Sequence, residues 1–225
     1  MTTGTTTLQE QISAAEEQWL QCWKRGPVRT RWQTTPLQVG DEAPDVRLTT
    51  QTGAPYFLRE AWKRNAAYLI FWRHFGCSVG FERAKRLSEE FTKLQALGLN
   101  VVAIGQGEPE RTASYMAARE LPSELTFLCD PEEIAYQAYG LLEGAPHQIF
   151  FRLSEDVQKV IPDAGTELAR ARRAAGAPLV DNPWLMPGEF LVDTSGIVRL
   201  AYRPSTVYDT SDFRQVANAV LLMRQ

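Results

Sequence analysis

One stretch of the chain, residues 67–77, constrains the fold more than any other. Residues 68–72 form a short apolar run of aromatic and branched side chains, which is typical of a strand buried on both faces. Gly76 ends the run, and Cys77 stands where a helical pattern begins at Ser78. The order strand, turn, cysteine, helix predicts an α/β sheet with a cysteine at the amino end of a helix.

This position predicts a reactive thiol. The first backbone N–H groups of a helix lack intrahelical partners, and the helix dipole favours negative charge, so a thiolate at Cys77 is stabilised there. Arg73 and His74 are near in sequence, and His74 is a candidate base or hydrogen-bond donor to the thiolate, although a structural histidine that caps a loop is the favoured interpretation. The alternative is an inert residue at a strand end, because free cysteines are among the most buried residue types. The strand–turn–helix context favours the reactive thiol over the inert residue.

Residues 71–77 read Phe-Trp-Arg-His-Phe-Gly-Cys. This segment resembles the active-site segment of the peroxiredoxin-like branch of the alkyl hydroperoxide reductase/thiol-specific antioxidant (AhpC/TSA) family, within the thioredoxin-fold superfamily. Members commonly carry a second cysteine three positions after the first, where this chain has Gly80. The resemblance implies a thioredoxin-like α/β fold, with a central mixed sheet flanked by helices and an N-terminal helical extension.

Two further strings support the resemblance, which covers residues 39–223. Residues 40–45 resemble the Gly-x-x-Ala-Pro entry of peroxiredoxin-type domains, and residues 130–141 resemble a later Asp-Pro…Tyr…Tyr-Gly-Leu string. We therefore predict an N-terminal helical extension over 1–38, with a helix at 8–24. A thioredoxin-like domain follows over 39–225, and it carries an insertion at 142–183.

The resemblance also implies roles for residues distant from Cys77 in sequence. It makes Pro187 a cis-proline that faces the cysteine, and it makes Arg203 a cation that holds peroxide oxygens. A solvated arginine at a strand end is an equally weighted alternative for Arg203, and the same ambiguity applies to Arg73. The predicted substrate pocket contains Gly76, Trp184 and Pro187.

The other two cysteines have no spacing signature. Either Cys22 or Cys129 could condense with a sulfenic acid on Cys77, but a buried apolar role is the favoured interpretation of each. Without a resolving thiol, the reductant would be an external thiol or another redox protein. Three cysteines without paired spacing are not a disulfide framework, and we expect a reducing cytoplasm.

Composition excludes several classes of function. The net charge is −3 with both signs interleaved, so no nucleic-acid or membrane-surface partner is expected. No apolar run approaches the length of a membrane span. Two histidines cannot form a histidine-rich metal site, and we expect no metal and no cofactor. Core or dimer-face packing accounts for most of the six tryptophans, so a homodimer stays open.

The favoured function is a one-cysteine, peroxiredoxin-like peroxidase or oxidoreductase that uses the Cys77 thiolate. Its substrate would be a small peroxide or disulfide. Two other hypotheses stay open. In one, the altered Cys-x-x-Gly motif marks a thioredoxin-fold binding module without redox activity. In the other, Cys77 is the nucleophile of an enzyme that acts on a non-peroxide substrate.

Overall fold

The computed structural model of the protein describes residue 17, residues 20–149 and residues 181–223. Within the predicted N-terminal helix, residues 20–24 are helical, and the helix continues to residue 25. The rest of that helix lies outside the described residues, apart from residue 17, which is also helical. Residues 150–180 of the predicted insertion likewise lie outside them.

Seven strands form one mixed sheet within the described part of the chain. Its spatial order is β2-β1-β5-β4-β3-β6-β7. Strands β3, β4 and β5 run parallel, whereas the remaining neighbours pair antiparallel. The strands are β1 (Arg47–Thr50), β2 (Pro55–Phe57), β3 (Ala67–Phe71), β4 (Asn100–Gly105), β5 (Thr126–Cys129), β6 (Gly188–Val192) and β7 (Val198–Tyr202).

Helices cover both faces of the sheet. They are α1 (Ser78–Ala96), α2 (Pro109–Ala118), α3 (Ile134–Ala138), α4 (Pro146–Ile149) and α5 (Phe213–Met223), with a 3₁₀ helix at Leu58–Ala61. The longest, α1, begins directly after Cys77. It ends before Gly98, which has a φ of +79° and donates to the Gln95 carbonyl at 2.8 Å. A glycine suits this left-handed position because it has no Cβ.

Side-chain alternation along β3 divides the core in two. Tyr68 and Ile70 pack in the cluster that contains α1, whereas Leu69 and Phe71 pack on the opposite face with Tyr136. All five residues of β3 are buried. The prediction of a strand buried on both faces is therefore confirmed, and the mixed α/β sheet with flanking helices agrees with the predicted fold class.

The parallel strands bring three loops to one edge of the sheet. The segments after β3, β4 and β5 all leave at the carboxyl ends of their strands, which is where sites in α/β sheets form. The Tyr136 hydroxyl ties two of these ends together. It donates to the carbonyls of Trp72 at 2.7 Å and Ile104 at 2.9 Å. Cys77 therefore follows a strand end that is fixed by its neighbours.

Candidate active site

Cys77 is the residue that immediately precedes α1. Its backbone is extended, with φ −77° and ψ 128°, and its N–H donates to the His74 carbonyl at 3.0 Å, which closes a turn. The thiol is half-buried, and among the described residues it makes no capping hydrogen bond to the helix. No acidic residue lies in the first turn of α1. The helix amino end can therefore act on the sulfur without a competing carboxylate.

Arg73 brings a buried positive charge to the same loop. It is 4% exposed, and its guanidinium donates to the carbonyl of Pro183 at 2.9 Å and to that of Leu185. No ion pair joins Arg73 to a carboxylate within the described residues, so its charge is balanced only by carbonyl dipoles. The imidazole of His74 is buried as well. In the described part of the chain, Arg73 makes no hydrogen bond to the Cys77 sulfur.

A buried carboxylate, which sequence reasoning missed, holds the loop from the other side. The side chain of Asp181 is fully buried and accepts the N–H of Phe75 at 2.8 Å. Its second oxygen accepts from Arg111 of α2, whose guanidinium lies 5.4 Å above the Phe75 ring. Asp181 lies more than 100 positions after Phe75, so no local sequence signal could have identified it. The turn before Cys77 is therefore clamped by residues from two distant segments.

The peptide bond before Pro187 is trans, since the described residues contain no cis peptide bond. The cis-proline prediction is therefore wrong. A trans bond before proline is favoured by about 0.5–1 kcal/mol, and the Met186 N–H donates to the Leu142 carbonyl at 2.9 Å in that arrangement. Pro187 nevertheless lies near the first turn of α1. It lines a narrow cavity of about 30 Å³ together with Val79 and Gly80.

Arg203 makes its hydrogen bonds away from the cysteine loop. Its Nη2 donates to the carbonyls of Leu37 and Tyr139, both at 2.8 Å, and its guanidinium lies 5.0 Å from the Phe190 ring centre. Burial lowers the pKa of Arg203 below its usual value. No recorded hydrogen bond or ion pair links it to Cys77 within the described ranges. Its observed contacts join the segment before β1 to the residue that follows α3.

The sequence of this domain matches one protein-family model, AhpC/TSA, over residues 39–201. That match covers more than half of the chain. The protein belongs to the AhpC/TSA family. The matched range contains the loop and the helix that carry Cys77.

Proteins of known structure share the fold of this chain. The thiol peroxidase of Chromobacterium violaceum superposes with a TM-score of 0.58 at 13% identity, covering 88% of this chain and 93% of that one. A DsbE thiol:disulfide interchange protein of Chlorobium tepidum, described as putative, gives 0.53 at 21% identity, covering 83% and 97%. The predicted thioredoxin-like fold is thereby confirmed.

A curated relative aligns with a smaller part of the chain. It is the chloroplastic thioredoxin-like protein AAED1 of Arabidopsis thaliana, which is 27% identical over 104 residues. The alignment covers 46% of this chain and 41% of that protein. The chain therefore matches less than half of the length of this relative.

The region around Trp184 joins the N-terminal helical residues to the site loop. Trp184 is buried and stacks on Trp23, with ring centres 4.8 Å apart. Its indole N–H donates to the Cys22 carbonyl at 3.0 Å. The Cys22 thiol donates to the Asn182 side chain at 3.6 Å and accepts from Arg25 at 3.4 Å. The tryptophan predicted for the pocket wall thus packs the helix against the loop.

The two other thiols differ in exposure, since Cys22 is half-buried and Cys129 is buried. Burial raises the pKa of Cys22, although the Arg25 charge opposes this effect. Burial also raises the pKa of Cys129, which is 2% exposed and donates to the Thr112 hydroxyl at 3.4 Å. Both thiols are therefore mostly protonated at neutral pH, which makes them poor nucleophiles. A resolving role for either cysteine stays a prediction.

Metal binding and membrane insertion receive no support from the described residues. They contain no cluster of three or more His, Cys, Asp or Glu side chains able to hold a metal ion. Across the same part of the chain, no helix combines the length and the apolar character needed to cross a bilayer.

Asp130, directly after β5, should give the protein a measurable dependence of stability on pH. Burial raises its pKa to about 6, against three backbone N–H bonds from the start of α3 that lower it. Its ordinary value is 3.8. Because the folded state binds this proton more tightly than the unfolded state, the stabilising contribution is complete below about pH 4 and is lost as the pH rises through 6.

The test compares urea unfolding of the wild type and Asp130→Asn at pH 4 and pH 7. The difference in unfolding free energy, wild type minus variant, should fall by up to about 3 kcal/mol across this interval. A difference that rises with pH would show the opposite balance. The three helix-end hydrogen bonds would then outweigh burial and hold the folded pKa of Asp130 below its ordinary value.

Proposed function

We propose that the protein is a one-cysteine, thiol-dependent peroxidase of the AhpC/TSA family. The Cys77 thiolate attacks the terminal oxygen of a peroxide, ROOH. The O–O bond breaks, the sulfur becomes a sulfenic acid, and the leaving RO⁻ takes up a proton to give ROH. An external thiol then condenses with the sulfenic acid and releases water. A second thiol molecule then attacks this mixed disulfide, which releases the reductant as its own disulfide and restores the Cys77 thiol.

The observation that carries this proposal is the position of Cys77 itself. It is a half-exposed cysteine at the amino end of the 19-residue helix α1, at the carboxyl edge of a parallel strand. The amino end of a long helix carries a partial positive charge, which attracts an anionic sulfur. It also favours the negative charge that develops as the O–O bond breaks.

The surrounding residues support the same chemistry through position and charge. The Arg73 guanidinium adds a buried cation that is not neutralised by any described carboxylate. Asp181, which is paired with Arg111, fixes the backbone of the turn by accepting the Phe75 N–H. Gly80 replaces the second cysteine of the motif, which favours a one-cysteine cycle with an external reductant.

The experiment compares the rate of Cys77 oxidation by hydrogen peroxide with that of free cysteine at the same pH. The protein used is the Cys22→Ala, Cys129→Ala variant, in which Cys77 is the remaining thiol. We expect oxidation at least about tenfold faster than free cysteine, the factor that 1.4 kcal/mol of transition-state stabilisation gives. Intact-mass analysis should find one added oxygen, and Cys77→Ser should abolish both signals.

A rate equal to that of free cysteine would overturn the proposal. It would favour the binding-module hypothesis, in which the fold is retained without redox chemistry. A fast reaction of Cys77 with a disulfide but not with peroxide would also overturn the peroxidase assignment. In that case the protein would be a thiol oxidoreductase that acts on S–S bonds.

A further inference from the structure

A groove of about 550 Å³ is lined by residues of the N-terminal segment, the segment after α3 and the segment after β7. That volume falls within the range of about 300–1,000 Å³ that is typical of small-molecule sites. Its apolar lining includes Leu142, Pro187 and Trp32, and Trp32 is 50% exposed. Two arginines, Arg31 and Arg203, also line it. The groove therefore combines apolar surface with positive charge.

Two adjacent carbonyls fix the aromatic ring and one of the guanidinium groups. The Trp32 indole N–H donates to the Gly140 carbonyl at 2.8 Å. Nη2 of Arg203 donates to the carbonyl of Tyr139, the preceding residue, also at 2.8 Å. Both side chains are therefore held in place before any ligand binds, and such preorganisation lowers the entropic cost of binding.

The positive charge of Arg203 has no acidic partner among the described residues. There its guanidinium donates only through Nη2, to two backbone carbonyls, and its buried Nε has no partner. Burial lowers the pKa of Arg203, and no neighbouring carboxylate opposes this effect. Carbonyl dipoles alone thus balance the charge, and Nη1 is left for a ligand.

The rest of the groove is also short of negative charge. Arg31 is exposed and forms no ion pair with any described residue. Glu143 lines the groove, but it is buried and its carboxylate already accepts several hydrogen bonds. The donors are the backbone N–H groups of Val28 and Arg29 and the side-chain amide of Asn182. An anionic ligand therefore complements the charge of the groove.

We propose that this groove binds a small organic carboxylate, with its carboxylate group on the Arg203 guanidinium and its apolar body against Trp32 and Pro187. Charge-assisted hydrogen bonds between a guanidinium and a carboxylate are short and strong, and an indole ring offers a large apolar surface. The assignment does not depend on the proposed function, because Cys77 does not line the groove.

Phenylacetate and phenylacetamide test the role of charge, because they are similar in size and shape and differ in charge. The titration follows the Trp32 indole N–H resonance by NMR of isotope-labelled protein, and Trp32→Phe identifies that resonance among the six tryptophans. We expect phenylacetate to bind at least about tenfold more tightly than phenylacetamide. Added salt should weaken the binding of phenylacetate and leave that of phenylacetamide unchanged.

Two variants test the location of the site. Arg203→Met removes the charge and keeps a long side chain, so phenylacetate affinity should fall at least about tenfold. Ser205→Glu adds a negative charge at an exposed position in the wall and leaves the Arg203 hydrogen bonds intact, so it should also weaken phenylacetate. Arg64→Met, at an exposed arginine outside the groove, is the matched control and should bind as the wild type does.

Circular dichroism establishes which variants are folded, and Ser205→Glu decides the result if Arg203→Met does not fold. Equal affinities for phenylacetate and phenylacetamide, or no shift of the Trp32 resonance with either, would overturn the assignment. So would wild-type affinity for phenylacetate in the folded groove variants, since the ligand would then bind elsewhere. If inorganic phosphate shifts the Trp32 resonance as strongly as phenylacetate does, the apolar body plays no part and an organic carboxylate is the wrong class of ligand.

Discussion

Replacing Gly80 with cysteine is expected to change the oxidised product from a sulfenic acid to an intramolecular disulfide. A Cβ at this position lies 3.9 Å from the Cβ of Cys77, within the range of about 3.5–4.5 Å that disulfides require. The introduced thiol would condense with the Cys77 sulfenic acid and release water. Intact mass after one equivalent of peroxide should then show the loss of two hydrogens in nearly all molecules.

A matched control on the same helix isolates the geometry. Ser88→Cys introduces a thiol eleven positions after Cys77, about 16 Å further along α1, so it should keep the sulfenic acid product. We also expect Gly80→Cys to require a dithiol reductant for turnover, because an intramolecular disulfide is reduced most readily by a second intramolecular attack. If Gly80→Cys still yields a sulfenic acid at Cys77 and leaves the introduced thiol free, the Cβ geometry beside Cys77 is wrong.

The fold could be predicted from the sequence because the patterns that specify it are local. The alternation of β3 follows from a sheet covered on both faces, and the turn at residues 75–76 sets where α1 begins. Gly98 ends that helix because a left-handed residue is needed there. These are constraints of the backbone and of nearest neighbours, so a sequence window of about 20 residues contains them.

The site was only partly predictable, because its supports come from distant segments. The position of Cys77 before α1 was predicted, but Asp181 and Tyr115 reach the loop from other parts of the chain. The isomer before Pro187 and the partners of Arg203 depend on backbone contacts that no local pattern encodes. Residue type suggested their chemistry, and tertiary structure decided their location.

Loss of the buried ion pair between Arg83 and Glu189 is expected to have the largest effect on stability. The Arg83 Nε donates to Glu189 at 3.0 Å, and both side chains are less than 10% exposed. The second carboxylate oxygen accepts the Ser211 N–H at 3.1 Å and also its hydroxyl. The pair therefore ties α1 to β6 and to the start of α5.

Arg83→Met should lower the free energy of unfolding by about 3–5 kcal/mol, because it leaves the Glu189 carboxylate buried without its cation. Glu189→Gln should cost a similar amount by isolating the guanidinium. Unfolding by urea at pH 7 measures both changes, and Tm should fall by about 10 °C or more. The loss in the double variant should be smaller than the sum of the losses in the two single variants, because no unpaired charge then remains.

Lys63→Met is the matched control for an exposed pair. Lys63 lies 3.2 Å from Glu60, but the two side chains are 67% and 39% exposed, so water screens their interaction. Its loss should cost less than about 1 kcal/mol. Because the N–O separations of the two pairs are similar, the difference between their losses of unfolding free energy measures the effect of burying the charges away from water. If Arg83→Met costs no more than Lys63→Met, water reaches the Arg83–Glu189 pair and the interior between α1 and β6 is not dry.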